Sequence, residues 1–286
     1  MKIISLCLLA LTAASAIAQP LPIENVRIAL THPAQETAER RNVVFAPDME
    51  PTLAFDLYRP AGAVAGARLP VIIFLSGTDR ARNWKWFEDL GQLAAAHGFA
   101  AVVPDKRYPR GWDGLLSGTA DTKRVLRYLA EHSAELGIDP QRLCVWSFSG
   151  GGRLNAAALA ADVPRAACLL NFYGLLDLTD ELASVADETR RNELLAQYSP
   201  SHVYAALGAD APPWLVIRAG RDGAVINRSI DRLVASALAA NAPLTLINSP
   251  EAVHGFDGQQ HNDESRRLIA AALEFARVHL TAQRTD

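Results

Sequence analysis

The stretch Val145-Trp146-Ser147-Phe148-Ser149-Gly150-Gly151-Gly152 decides how the chain is read. An apolar run of strand character, Leu143 to Trp146, passes through glycines into a helix of small residues over 150–161. So tight a strand-to-helix turn needs small residues two before and two after its apex. It holds the apex residue strained, with its side chain lifted above the sheet. Ser149 stands at that apex. The usual form is Gly-x-Ser-x-Gly; here Ser147, still small, replaces the first glycine and Gly151 supplies the second. Ser149 is therefore the candidate nucleophile. Gly150 is a candidate oxyanion donor, because an N–H at a helix start points where negative charge would form. A Ser/Gly-rich connector without chemistry is the plain alternative. Ser147 could also serve as nucleophile, but it lies at the strand end rather than at the turn.

The rest of the chain alternates around this turn. Upstream, Arg41 to Phe45 and Thr52 to Arg59 read as strands separated by a turn at Pro47-Asp48 and Glu50-Pro51. Val71 to Leu75 is a continuous apolar run, as expected of a strand buried on both faces. Trp84 to His97 has helical spacing and ends at Gly98; Phe99 to Val103 is a strand; Asp121 to Leu136 is a helix closed by Gly137. Downstream, Ala166 to Phe172, Trp214 to Ala219 and Leu244 to Asn248 read as strands, and Ile230 to Ala240 and Glu264 to Leu280 as helices. Alternation of this kind predicts a mostly parallel eight-stranded α/β sheet with helices on both faces. Residues 175–207 break the rhythm and are expected to form an insertion capping one end of the sheet.

A serine hydroxyl is a poor nucleophile until a base takes its proton. Of the seven histidines, His254 follows the last strand, in Pro250-Glu251-Ala252-Val253-His254-Gly255-Phe256. Loops at the carboxyl ends of parallel strands are where such sheets place their chemistry. Asp222, in Ala219-Gly220-Arg221-Asp222-Gly223, follows the preceding strand and can orient the base, although Asp-Gly is also a common turn pair. Each of the three residues comes just after a different strand.

The whole chain bounds the partners. It has 286 residues, 50% hydrophobic and 21% charged, with a net charge of −3. No basic block suggests nucleic acid. Lys2, the apolar run Ile3 to Leu11 and Ala16-Ile17-Ala18 read as a signal peptide cleaved after Ala18, leaving 19–286 as one secreted or periplasmic domain. The run is too short for a membrane span, which needs about 20 residues. Cys7 lacks the preceding small residue of a lipoprotein signal. Cys144 and Cys168 lie in strand-like runs; an exported protein could oxidise them, but two buried thiols are the plainer reading. No metal-site spacing, phosphate loop or dinucleotide fingerprint is present, so no cofactor is expected. Oligomeric state carries no signal.

With these residues in place, the chain resembles the α/β-hydrolase superfamily, in particular its dienelactone hydrolase-like and prolyl-oligopeptidase-like esterase branches. The resemblance covers about Arg41 to Leu280 and is carried by the order Ser149, Asp222, His254 and by two stretches. These are Leu136-Gly137-Ile138-Asp139-Pro140-Gln141-Arg142-Leu143 and His97-Gly98-Phe99-Ala100-Ala101-Val102-Val103-Pro104-Asp105. It implies the α/β-hydrolase fold, Ser149 as nucleophile, Asp222 as acid, His254 as base and Gly150 as one oxyanion donor. Relatives often carry His-Gly-Gly after the third strand; here Ser76-Gly77-Thr78-Asp79 stands there, leaving Gly77 and Thr78 as the second donor. The activity implied is hydrolysis of a small-molecule carboxylic ester through an acyl-enzyme. A peptidase or amidase acting on small acyl-peptides, and an inactive ligand-binding fold, are the alternatives. Asp105 is expected to pair with Lys106, Arg107 or a helix N-terminus. Trp84, Trp86, Phe87, Tyr108, Trp112, Tyr173, Leu175 and Leu176 are core residues or substrate contacts.

Overall fold

The computed structural model describes residues 22, 25–30, 37–64, 66–79, 81–108 and 111–281. The expected signal segment 1–18 lies outside the described residues. Eight strands form one sheet: β1 Thr37–Ala46, β2 Leu53–Pro60, β3 Leu69–Leu75, β4 Ala100–Pro104, β5 Ile138–Phe148, β6 Cys168–Phe172, β7 Trp214–Ala219 and β8 Leu244–Ser249. Their order is β1-β2-β4-β3-β5-β6-β7-β8. β1 and β2 pair antiparallel with each other, and β2 pairs antiparallel with β4; every pair from β4 through β8 is parallel.

Period-two alternation sends neighbouring side chains of the buried strands into opposite cores. Val71, Ile73 and Leu75 join one cluster with Val145, Leu169 and Val216. Ile72 and Phe74 join the other with Trp146, Leu170 and Ile217. The second core is covered by α1 Lys85–Ala96 and α9 Asp263–Thr281, which bury Phe87, Leu90, Leu93 and Leu268, Ile269, Ala272. The first is covered by α2 Gly111–Glu131, α4 Asn155–Ala158 and α7 Ala224–Ala239.

Several boundaries differ from the expectation. α2 starts ten residues before Asp121, through Gly111, Gly114 and Gly118, whose poor helix propensity hides it. It is followed by the four-residue α3 Ser133–Leu136, ended by Gly137 in the left-handed region at φ 63°. The helix expected over 150–161 is instead a 3-10 turn, Ser149–Leu154, running into α4. Residues 175–207 contain α5 Glu188–Tyr198 and α6 Pro200–Leu207. They send Leu176, Leu178, Leu182, Leu195 and Tyr204 into the first core, where α6 packs on α4 and α7. Trp112 stands edge-on to Tyr198, at 5.3 Å between ring centres.

The reading of Cys144 and Cys168 as free thiols is corrected. Both are fully buried, face each other as register partners on β5 and β6, and are joined by a disulfide. Their Cα atoms are 4.7 Å apart, within the span that a disulfide bridges. No helix among the described residues is long and apolar enough to cross a membrane.

Candidate active site

Because β5, β7 and β8 run parallel, the loops after them open on one edge of the sheet. Ser149, Asp222 and His254 meet there. Ser149 Oγ lies 2.9 Å from His254 Nε2, and His254 Nδ1 lies 2.7 Å from Asp222 Oδ2. The Asp222 carboxylate is buried and accepts a second bond, from the Gly223 N–H at 2.6 Å. The two loops are locked together: the Gly220 N–H donates to the Ser249 carbonyl and the Arg221 N–H to that of Ala252.

Ser149 has φ 52°, in the left-handed region that an L-residue enters only when its surroundings force it. The forcing contacts are backbone. A Cβ on Gly151 would overlap the carbonyl oxygens of Leu75 and Ser76, and one on Gly152 would stand 2.9 Å from the Leu175 N. Ser147 is fully buried and is not available as a nucleophile. Its hydroxyl accepts from Asn155 Nδ2 at 2.7 Å and Asn171 Nδ2 at 2.9 Å, and donates to the Leu170 carbonyl at 3.2 Å. The hydroxyl that replaces the usual glycine hydrogen is thereby satisfied. Neither asparagine was marked by sequence pattern; their partner becomes visible only when β5, β6 and α4 are assembled.

Gly77 comes backbone to backbone with Gly150: a Cβ on it would stand 2.9 Å from the Gly150 N. The Thr78 N–H is turned toward Ser76 Oγ at a long 3.4 Å. Beneath this loop lies Lys106, nearly inaccessible, bonded to Ser76 Oγ at 2.8 Å and to the Thr78 carbonyl. The expected pairing of Asp105 with Lys106 or Arg107 is therefore corrected: Asp105 pairs with Arg82 at 2.6 Å, and Arg107 with Asp121 at 2.7 Å. Tyr108 donates to the Gly150 carbonyl at 2.7 Å, held by Arg153 Nε on its oxygen at 2.9 Å. Gly118 makes that possible, since a Cβ there would meet the Tyr108 ring at 2.7 Å.

A cavity of about 170 Å³ opens over Ser149 and His254, walled by Trp84, Trp86, Phe87, Phe148 and Tyr173. Four of the aromatic candidates thus reach it, whereas Leu176 is core and no residue of 175–207 lines it. Asp257 braces two of the walls from behind. The Trp86 indole donates to its Oδ2 at 2.8 Å, and the Tyr173 hydroxyl donates to its Oδ1. Tyr173 in turn lies 4.8 Å from the His254 ring, centre to centre. Asp257 was not marked by sequence pattern; an ionisable residue three positions after His254 is the signal that could have found it.

Burial pushes Asp257 up to about 6, against the lowering effect of its two donors. A carboxyl that binds its proton more tightly folded than unfolded stabilises the protein below about pH 4. That stabilisation is lost as pH rises through about 6, an effect of about 3 kcal/mol. Asp257→Asn removes the titration. Urea unfolding of both proteins should show the variant gaining on the wild type by up to about 3 kcal/mol between about pH 4 and pH 7.5. A pH-independent difference would assign the shift elsewhere.

The chain is similar to several known proteins. Over 105 residues it is 34% identical to carboxylesterase NlhH of Mycobacterium tuberculosis, a match covering 33% of this chain and 31% of that protein. The chain thus spans about a third of the length of the curated relatives it matches. Its fold superposes on the propionate-bound thermophilic esterase Est2 of the Planctomycetes species Thermogutta terrifontis with a TM-score of 0.68 at 23% identity, covering 88% of this chain and 98% of that one. The same esterase phosphorylated by paraoxon gives a TM-score of 0.67 at 20% identity, with 88% and 98% covered. Residues 55–235, more than half of the chain, match the BD-FAE family, and the protein belongs to that family.

Proposed function

We propose that this protein is a serine carboxylesterase acting on short-chain esters. The observation that carries the reading is the continuous hydrogen-bonded path from Ser149 Oγ through His254 to the buried Asp222. His254 Nε2 takes the Ser149 proton as Oγ attacks the ester carbonyl, and Asp222 stabilises the resulting imidazolium. The N–H groups of Gly150 and Gly77, with Thr78 beside them, receive the oxyanion. Collapse of the tetrahedral intermediate expels the alcohol, which takes the proton from His254. Water deprotonated by the same nitrogen then hydrolyses the acyl-enzyme.

The small aromatic-walled cavity favours a short acyl group. The similar proteins support an ester bond as target: one is named a carboxylesterase, and others are esterases bound to propionate and butyrate. Paraoxon phosphorylates the Thermogutta terrifontis enzyme, in line with a serine-directed mechanism. We also propose that the protein is exported and cleaved after Ala18. The disulfide supports this, because such bonds persist in oxidising compartments.

A fluorophosphonate probe should give a single adduct, mapped by peptide mass to Ser149. p-Nitrophenyl esters should be hydrolysed with a preference for short chains, and matched amides should not. A folded protein that takes no adduct and turns over no ester would be a binding protein instead.

A further inference from the structure

Lys106 is a buried charge that the mechanism above does not use. It follows β4, is 3% exposed, and directs its ammonium at Ser76 Oγ and the Thr78 carbonyl rather than at a carboxylate. Ser76 Oγ donates to that same carbonyl at 2.7 Å and accepts the Thr78 N–H. The Lys106 N–H also donates to the Asp79 carbonyl at 3.3 Å. The nearby acids have other partners: Asp105 pairs with Arg82, Asp121 with Arg107, and Asp79 takes the Thr78 hydroxyl. A buried ammonium that faces only neutral oxygens is costly, and an aliphatic side chain would fill the space without that cost.

The ammonium bonds both the Thr78 carbonyl and the Ser76 hydroxyl, in a segment with Thr78 where relatives often carry a second glycine. Gly77 packs so close to Gly150 that a slight drift of the loop would change how their two N–H groups converge. Misplacement of about 1 Å at such a site can reduce turnover about 100-fold. We propose that Lys106 is a positioning residue: its protonated ammonium clamps the 76–79 loop so that the Gly77 N–H faces the developing oxyanion beside the Gly150 N–H, and loss of the proton releases the clamp. This rests on the esterase reading.

Burial pushes Lys106 down to about 7, with Asp79, Asp105 and Asp121 acting in the opposite direction. The groups around it are Asp79 from the loop, Asp105 and Arg107 on its own segment, Arg82 from the 3-10 turn Ala81–Asn83, Asp121 from α2, and the Tyr108 ring at 5.3 Å. The charged form, and the clamp, therefore predominate on the acid side of neutrality.

The test is kcat and KM for p-nitrophenyl acetate from about pH 6 to about pH 10 in wild type, Lys106→Met and Lys106→Arg. Wild type should lose kcat on the alkaline side. Lys106→Met should lower kcat about 10-fold or more at neutral pH, with KM changed less than about 3-fold and no alkaline limb. Lys106→Arg should recover most of kcat and carry the limb beyond the range, since a guanidinium keeps its proton. Wild-type kcat in a folded Lys106→Met, a loss confined to KM, or equal losses in Met and Arg would overturn the proposal. If thermal melts show that neither variant folds, Ser76→Ala decides. Removing an acceptor of the ammonium should move the alkaline limb to lower pH, and an unmoved limb overturns the proposal. Failure of the esterase reading is separate: it appears as a wild type without a fluorophosphonate adduct on Ser149.

Discussion

Replacing Asp222 with asparagine should lower kcat for a short-chain p-nitrophenyl ester about 10⁴-fold and leave the protein folded. The reason is which atom carries the imidazole proton. Asp222 uses both oxygens, Oδ1 for the Gly223 N–H and Oδ2 for His254 Nδ1. An asparagine keeps its oxygen on the fixed backbone N–H and turns its NH₂ to the histidine. Nδ1 must then accept, the ring proton moves to Nε2, and the atom facing Ser149 Oγ can no longer take a proton. The size and shape of the side chain are almost unchanged, so the melting temperature should move little. Stopped-assay kinetics with a parallel thermal melt separate the two readouts. A variant with near-wild-type kcat would mean that another group orients His254.

Gly151→Ala should be strongly destabilising. The added carbon would overlap the Leu75 carbonyl oxygen and stand 2.6 Å from that of Ser76. Both are backbone atoms at the end of β3, a central strand buried on both faces, so no side-chain rotation relieves the overlap. The 3-10 turn must lift away from β3, and Ser149 moves with it. Losses of this kind reach about 4 kcal/mol or more, roughly 10 °C in melting temperature for a domain of this size. Gly62→Ala is the control: nothing stands within 4 Å of its Cβ, and its stability should stay within about 0.5 kcal/mol of wild type. Equal melting temperatures for the two variants would mean that the turn is held loosely.

What the chain discloses by itself follows from the range of the interactions. Apolar runs such as Val71 to Leu75 and Trp214 to Ala219 are local and emerge as strands at or near the expected limits. Ser149, Asp222 and His254 could be selected together because each sits just past such a run. Their distances depend on strand order, which pairs β5 with both β3 and β6 across long stretches of chain. The early start of α2 was hidden because glycine weakens helix propensity, whereas Gly118 is kept for the Tyr108 ring. Lys106 looked like a partner for the adjacent Asp105, but just past the end of β4 the two side chains find partners in different segments, Asp105 in Arg82 and Lys106 in Ser76 and Thr78. The disulfide was hidden for a similar reason: 24 residues separate cysteines that the β5–β6 register places opposite each other.

Ser147 has a consequence for how this chain can change over time. Its hydroxyl is the shared acceptor for Asn155 and Asn171, and Asn171 also takes the Gly174 N–H, which leads to Tyr173 beside His254. With glycine at position 147 each amide would keep one acceptor, Asn155 the Gly152 carbonyl and Asn171 the backbone carbonyl of residue 147, but both would lose their bond to the hydroxyl. The three positions are therefore coupled, and a change at any one of them is felt at the other two.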